Sequence, residues 1–368
     1  DPTRRSLTGT GGYVKVGRKG NAKWNFSETF TWSSPGFDLN DMGYMKETDY
    51  LMNETEIMYR QTDIWKIFRY NAFTLSQKNM WNYGGTPFSN NASLRWQSMT
   101  MNRYEWDVKE TFAWNWLDSR LLRGGPDVRF GSYFLTSAKF NTDKAKRMMF
   151  MLKYEGDHNF EGNRFNTISP SLTFRLGNHV YLSGQLDYAW NTDEMQYVAT
   201  TSPLSSSSLA PYYYVMGHMD QKTYGLTLKL QVNVTPDISI QFYGAPFTSI
   251  AKYDDFKLAA DTKSHTFENR FQRIDPDQLT YADGVYTIGE GAGQMPFRNP
   301  DFRFNEFRSN LVARWEYLPG STLYFVWEHR MSNRDNWYSS GWGSNLDRMW
   351  GLPATNTFMI KMNYWFNL

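Results

Sequence analysis

The 368-residue chain contains no cysteine. Disulfides, thiol nucleophiles and Cys-ligated metals are therefore excluded, and the redox compartment is left open. A charge excess is missing too: 39 Lys and Arg stand against 37 Asp and Glu, a formal net charge of +2. No Lys/Arg-rich tract breaks that balance, so the electrostatic footprint of nucleic-acid binding is absent. No apolar run approaches the roughly 18–20 residues that a transmembrane helix needs. HExxH, Gly-x-Ser-x-Gly and P-loop patterns do not occur. Of the histidines, His158 beside Asp157 and His218 near Asp220 are the local candidates for acid–base chemistry, and turn capping or solvation is their expected role. The chain reads as a non-enzyme without a cofactor.

Aromatic residues, by contrast, are abundant: 18% of the chain, with 15 Trp and 24 Tyr. That level suits the interfacial girdles of membrane barrels, although a sugar-binding β-domain could reach it. The mean hydropathy of −0.63 is polar, as it is wherever lumen-facing polar residues alternate with lipid-facing apolar ones. The C-terminal segment NTFMIKMNYWFNL (Asn356–Leu368) displays the alternation. Phe358, Ile360, Met362, Tyr364, Phe366 and Leu368 share one face of a strand, and Thr357, Met359, Lys361, Asn363, Trp365 and Asn367 make a mostly polar reverse. Successive strand side chains point to opposite sides, so such a strand separates two environments.

The pattern recurs. Tyr224, Leu226, Leu228, Leu230, Val232 and Val234 share a face, and Gly225, Thr227, Lys229, Gln231 and Asn233 share the other. Leu172, Phe174 and Leu176 run into the tight turn Gly177-Asn178, a hairpin signal. The strands expected are roughly 10–19, 23–33, 46–60, 64–78, 92–102, 105–117, 129–140, 145–155, 164–176, 179–191, 223–234, 238–252, 306–317, 322–332 and 356–368. Short turns after Lys19, Arg60, Asn102, Phe140, Leu176, Val234 and Tyr317 alternate with longer polar loops, notably 192–222 and 253–305. Transmembrane barrels show this two-sided asymmetry. Trp106 and Trp116, on one face, would lie about 23 Å apart in depth at about 3.3 Å per residue and roughly 45° of tilt, one per interface. Segments 46–60 and 64–78 alternate poorly, and Glu28 falls on the apolar face of Trp24, Phe26, Phe30 and Trp32, which suits a partner or an inserted loop.

The expected fold is thus all-β: a transmembrane antiparallel outer-membrane β-barrel with about 14–16 strands in this chain, occupying residues 1–368 as one domain. An odd strand count and the lack of a signal peptide at Asp1–Arg5 suggest a mature or partial chain with more strands upstream. Three motifs carry a family resemblance: SPGFDLNDMGYM (Ser34–Met45), NPDFRFNEFRSNLVARWEYLPGSTLYFVW (Asn299–Trp327) and MNYWFNL (Met362–Leu368). They resemble the barrel domain of unknown function of Bacteroidota outer-membrane proteins, where it follows a carbohydrate-binding-module-family-nine-like domain. The resemblance implies that this chain is the C-terminal portion of a larger protein. It supplies no catalytic residues.

Three groups are candidates for chemistry. Glu306, Arg308, Arg314 and Glu316, with Glu328 and Arg330 on the next strand, would face the lumen and form cross-strand ion pairs. Either they rigidify the wall or they line a solute path with no strong ion selectivity. Trp337, Tyr338, Trp342 and Trp350, among Gly, Ser and Asn, could stack on sugar rings or pack at the outer interface. Asp38, Asn40 and Asp41 offer oxygens for a cation, but turn chemistry is the expected role and no metal is predicted. The function expected is a channel or uptake protein for glycans or other small solutes; the alternative is a non-catalytic barrel that anchors an N-terminal domain or serves an envelope complex. Expected partners are outer-membrane lipid and lipopolysaccharide, other envelope proteins and carbohydrate, without nucleic acid.

Overall fold

In a computed structural model, residues 8–38, 45, 47–114, 116–204, 212–336 and 341–366 are described. The strands are β1 (Gly11–Arg18), β2 (Trp24–Ser33), β3 (Tyr50–Gln61), β4 (Phe68–Trp81), β5 (Pro87–Thr100), β6 (Glu105–Trp114), β7 (Trp116–Asp118), β8 (Val128–Phe130), β9 (Tyr133–Asn141), β10 (Met148–Asn159), β11 (Arg164–Leu176), β12 (Val180–Thr201), β13 (Tyr213–Asn233), β14 (Ile238–Ala259), β15 (Phe271–Arg273), β16 (Leu279–Ala282), β17 (Val285–Ile288), β18 (Met295–Arg298), β19 (Phe302–Leu318), β20 (Ser321–Asp335) and β21 (Thr355–Asn363). One helix, α1 (Trp342–Trp350), precedes β21. A single 16-stranded antiparallel sheet runs β1 to β6, then β9 to β14, then β19 to β21, with β15 added to β14. The sheet is not closed into a barrel: among the described residues β1 pairs only with β2, and β21 only with β20.

Register carries one sequence pattern across many strands. Leu182 lies opposite Leu230, then come Phe242, Leu311, Trp327 and Phe358. One residue along, Ser183 lies opposite Lys229, followed by Tyr243, Asn310, Glu328 and Thr357. A period of two plus fixed register therefore gives the sheet an apolar face and a polar face. In the first half, Phe26, Ile57, Leu75 and Leu94 continue the apolar side.

The apolar face is not a protein core. Leu228 is 40% exposed, Phe358 64% and Ile360 72%. On the other side the sheet buries small polar side chains, among them Ser27, Ser93, Thr111, Ser169 and Thr173. This reverses the burial order of a soluble sandwich, in which the large apolar side chains are inside.

Among the described residues, apolar cores form at the long-connection end, where β12, β13 and β14 extend beyond their neighbours. Val215, Met219, Tyr253, Phe256 and Leu258 pack with Ile288 and Phe297 from the small β16–β17–β18 sheet. Met195, Met216 and Phe271 pack with Leu122 and Val128 of the β7–β8 hairpin. Adjacent residues Val215 and Met216 belong to different clusters, so the strand ends are covered on both faces and form a folded cap.

The cap corrects several expectations. Residues 192–222 are not a long loop: β12 runs on to Thr201 and β13 starts at Tyr213. Bulges between Asp193 and Gln196 and between Tyr197 and Ala199 shift the phase there, and burial on both sides removes the polar–apolar alternation. Residues 253–305 likewise contain β15 to β18. Trp116 does not continue the Trp106 strand. It starts the β7–β8 hairpin and sits 5.4 Å from Tyr133, which lies on the polar side, while Trp114 stacks on Phe112 at 5.6 Å on the apolar side. Trp106 and Trp114 lie eight residues apart in β6, on the order of 26 Å along the strand at about 3.3 Å per residue.

Candidate functional site

Glu306, Arg308 and Arg330 come together on the polar face. Arg308 and Arg330 stand directly opposite one another on β19 and β20. That like-charge pairing is offset by Glu306, whose Oε1 lies 2.9 Å from each guanidinium and whose side chain is largely buried. Arg314 and Glu316 form a separate ion pair at 2.5 Å near the β19–β20 turn, where the Gly320 N–H also donates to Glu316 at 3.1 Å. Glu328, opposite Asn310 and Thr357, joins neither group. A third such pair on this face is Arg95–Asp107 between β5 and β6, to which Gln97 donates at 3.2 Å.

The aromatic candidates divide. Trp337 and Tyr338 lie outside the described residues, as do Asn40, Asp41 and the serine run 205–208. Trp342 and Trp350 belong to α1, not to a loop, and both rings meet the apolar side of the wall. Trp342 stacks on Tyr224 at 5.6 Å and 7°, and Trp350 meets Phe307 edge-on at 4.9 Å. Asn345 and Met349 form the helix's buried side.

The two histidine–carboxylate neighbours are held differently. Asp157 and His158 are consecutive strand residues and point to opposite faces; the His158 Nε2 meets Asn166 Oδ1 at 3.0 Å. His218 lies at the β13 bulge, with Glu194 3.0 Å from Nδ1 and Asp220 3.6 Å from Nε2. Burial depresses the imidazolium, but the hydrogen bond to Glu194 and the charges of Glu194, Asp220 and Asp254 outweigh it, so the pKa is raised. Burial also raises the Asp193 carboxyl, against the Met195 N–H that donates to it at 2.8 Å.

A feature the sequence reading missed is how the β7–β8 hairpin is held. Arg270, 1% exposed, donates to Glu161 at 2.9 Å and to the carbonyls of Ser264 and Arg129, both at 2.8 Å. Glu161 also accepts from the Gly131 N–H at 2.9 Å. Lys263 and Asp127 add an ion pair at 2.7 Å. The hairpin thus roofs two cavities that share Trp116 and Asp118. One of about 850 Å³ lies over β3, β4 and β5 beside Asp49, Lys78 and Phe88. The other, of about 190 Å³, lies over β9 to β12 beside Tyr133, Asp157 and Asp193. Contacts between residues far apart in the chain, such as Arg270 with Arg129, help to create this roof, and no local motif encodes them. Among the described residues no three His, Asp or Glu side chains converge as a metal site.

No curated protein and no solved structure matches the chain. The family model described as "Domain of unknown function (DUF5916)" matches residues 3–368, which include all three sequence motifs and every strand of the sheet. The chain therefore belongs to the DUF5916 family of domains of unknown function.

Proposed function

We propose that the sheet is part of the wall of an outer-membrane β-barrel and that the protein is a channel or uptake protein for small solutes, glycans among them. The observation that carries this reading is the exposed apolar face of the sheet, backed by a polar face bearing ion pairs and small hydroxyls. Contiguous apolar surface on this scale needs a cover, and hydrocarbon covers it without a partner. In lipid a sheet edge is not tolerated, so the β1 and β21 edges are paired in the membrane. Both strands run in the same direction, because an odd number of strands joins them through antiparallel pairs, so an all-antiparallel closure takes further strands between the two edges. The α1 tryptophans on the apolar side fit the outer interfacial girdle, where lipopolysaccharide headgroups begin.

Proteoliposomes test transport. Conductance in planar bilayers, or swelling in isotonic sugar, is the expected result; inserted, folded protein that leaves vesicles tight to ions and sugars contradicts it.

One observation favours a second reading, an anchoring barrel within an envelope complex. Glu28, on the apolar side, accepts hydrogen bonds from Asn53 and from Thr55 (2.6 Å), and Gln77 lies opposite Thr55. A polar patch there suits a protein neighbour better than lipid. A spin label at Gln77→Cys, shielded in native outer-membrane vesicles but lipid-exposed after purification, is expected on this reading; lipid exposure in both preparations removes it.

A further inference from the structure

We propose that the cavity of about 190 Å³ beneath the β7–β8 hairpin is a binding site for one sugar ring without an acidic group. This deepens the uptake reading, on which the route of the sugar rests, but binding itself is measured independently of transport.

The walls have two chemistries. Trp116, Phe130 and Tyr133 make an aromatic side, with the Trp116 ring 6.4 Å from Phe130 and 5.4 Å from Tyr133. Flat apolar rings present C–H-binding surface to the face of a pyranose while its hydroxyls look elsewhere. Beside Tyr133 on the same sheet face, with Asn159 its direct cross-strand neighbour, are groups with unused hydrogen-bonding capacity. No donor among the described residues reaches the Asp157 carboxylate. Asp193 spends one oxygen on the Met195 N–H at 2.8 Å and keeps the other. The Oδ1 of Asn159 is taken by the Glu161 and Asn163 N–H groups at 2.9 and 2.8 Å, which turns its amide toward donation. Acceptors and donors beside aromatic rings suit a ligand that is itself both hydroxylated and flat-faced.

Size and charge narrow the class. A space of about 190 Å³ is on the order of one small ligand ring rather than an extended cleft. Asp118, Asp157 and Asp193 line it against the single guanidinium of Arg164, so a uronic acid meets net repulsion while neutral and amino sugars do not. With no third carboxylate or histidine converging at metal-ligand spacing among the described residues, a bound cation is the poorer occupant. Trp116 also borders the larger cavity of about 850 Å³, so it stands between that vestibule and the pocket.

The test uses the whole chain in detergent, titrated with methyl α-glucoside, methyl α-mannoside, glucosamine and glucuronate, read by saturation-transfer NMR. Saturable binding of at least one neutral or amino sugar with Kd on the order of 1 mM is expected, with glucuronate at least tenfold weaker. Trp116→Ala and Asp157→Asn should each weaken binding tenfold or more. Trp116→Phe, which keeps the hairpin's packing, should retain part of it, and an unchanged circular dichroism spectrum verifies the fold of each. No binding by any of the four sugars, tighter binding of glucuronate, or unaltered binding in the folded Trp116→Ala and Asp157→Asn variants overturns the site. Conductance without sugar binding defeats only this inference. Sugar binding by a protein that leaves vesicles tight defeats only the channel reading.

Discussion

Single residues hold the cap in place, and Arg270 is the most exacting of them. Its guanidinium is nearly inaccessible and its ion pair with Glu161 sits at 2.8 Å. Removing one partner of a buried pair costs about 3–5 kcal/mol, because the other charge is left unpaired. Arg270→Ala is therefore expected to loosen the hairpin, seen as rapid proteolysis between residues 119 and 131, while a double replacement with Glu161→Leu recovers part of the loss. Equal protease resistance in Arg270→Ala and the parent contradicts this role. His218 gives the cap a pH dependence. Its folded pKa is raised above the ordinary 6.5, so its contribution to stability is complete below pH 6.5 and is lost as pH rises through the folded value. Intrinsic-rate-corrected hydrogen exchange over 213–219 should be faster at pH 8.5 than at pH 6.0, and His218→Asn should flatten the difference. An unchanged profile in that variant disproves the assignment.

At the level of elements, the two-faced strands make unequal demands on neighbouring positions. Ile360 and Lys361 are consecutive in β21, the first opposite Phe325 and the second opposite Tyr324. A basic residue on the lipid side of a membrane strand costs roughly 2–4 kcal/mol at mid-depth. Ile360→Lys should therefore reduce folding into vesicles, judged by heat-modifiable gel mobility, while Lys361→Gln should leave it unchanged; equal effects would speak against the two-faced wall. Strands such as Tyr224–Val234 were legible because their apolar and polar side chains are segregated onto opposite sides, so the period of two survives in the sequence. The outer halves of β12 and β13 were not, since both of their sides are packed and bulges reset the phase. Helix α1 was hidden for another reason. It spans nine residues, has no side-chain N-cap, and takes its apolar side from tryptophans that read equally well as loop aromatics. The Arg308–Glu306–Arg330 group was legible, because alternation alone places its members on one face.

For the whole molecule, the central claim is a partition: Leu228, Leu230 and the apolar row of Leu230 meet hydrocarbon, and Lys229 and its row meet water. The complete absence of cysteine makes single-site labelling clean. Nitroxides at Leu228→Cys and Lys229→Cys, in protein refolded into phospholipid vesicles, report the local medium through collision with oxygen, which concentrates in lipid, and with a polar nickel chelate, which does not. The expected result is oxygen-dominated relaxation at 228 and chelate-dominated relaxation at 229, with the same alternation continued at Leu230 and Gln231. Chelate access at both 228 and 229, or shielding of 228 from both quenchers, would contradict a membrane wall.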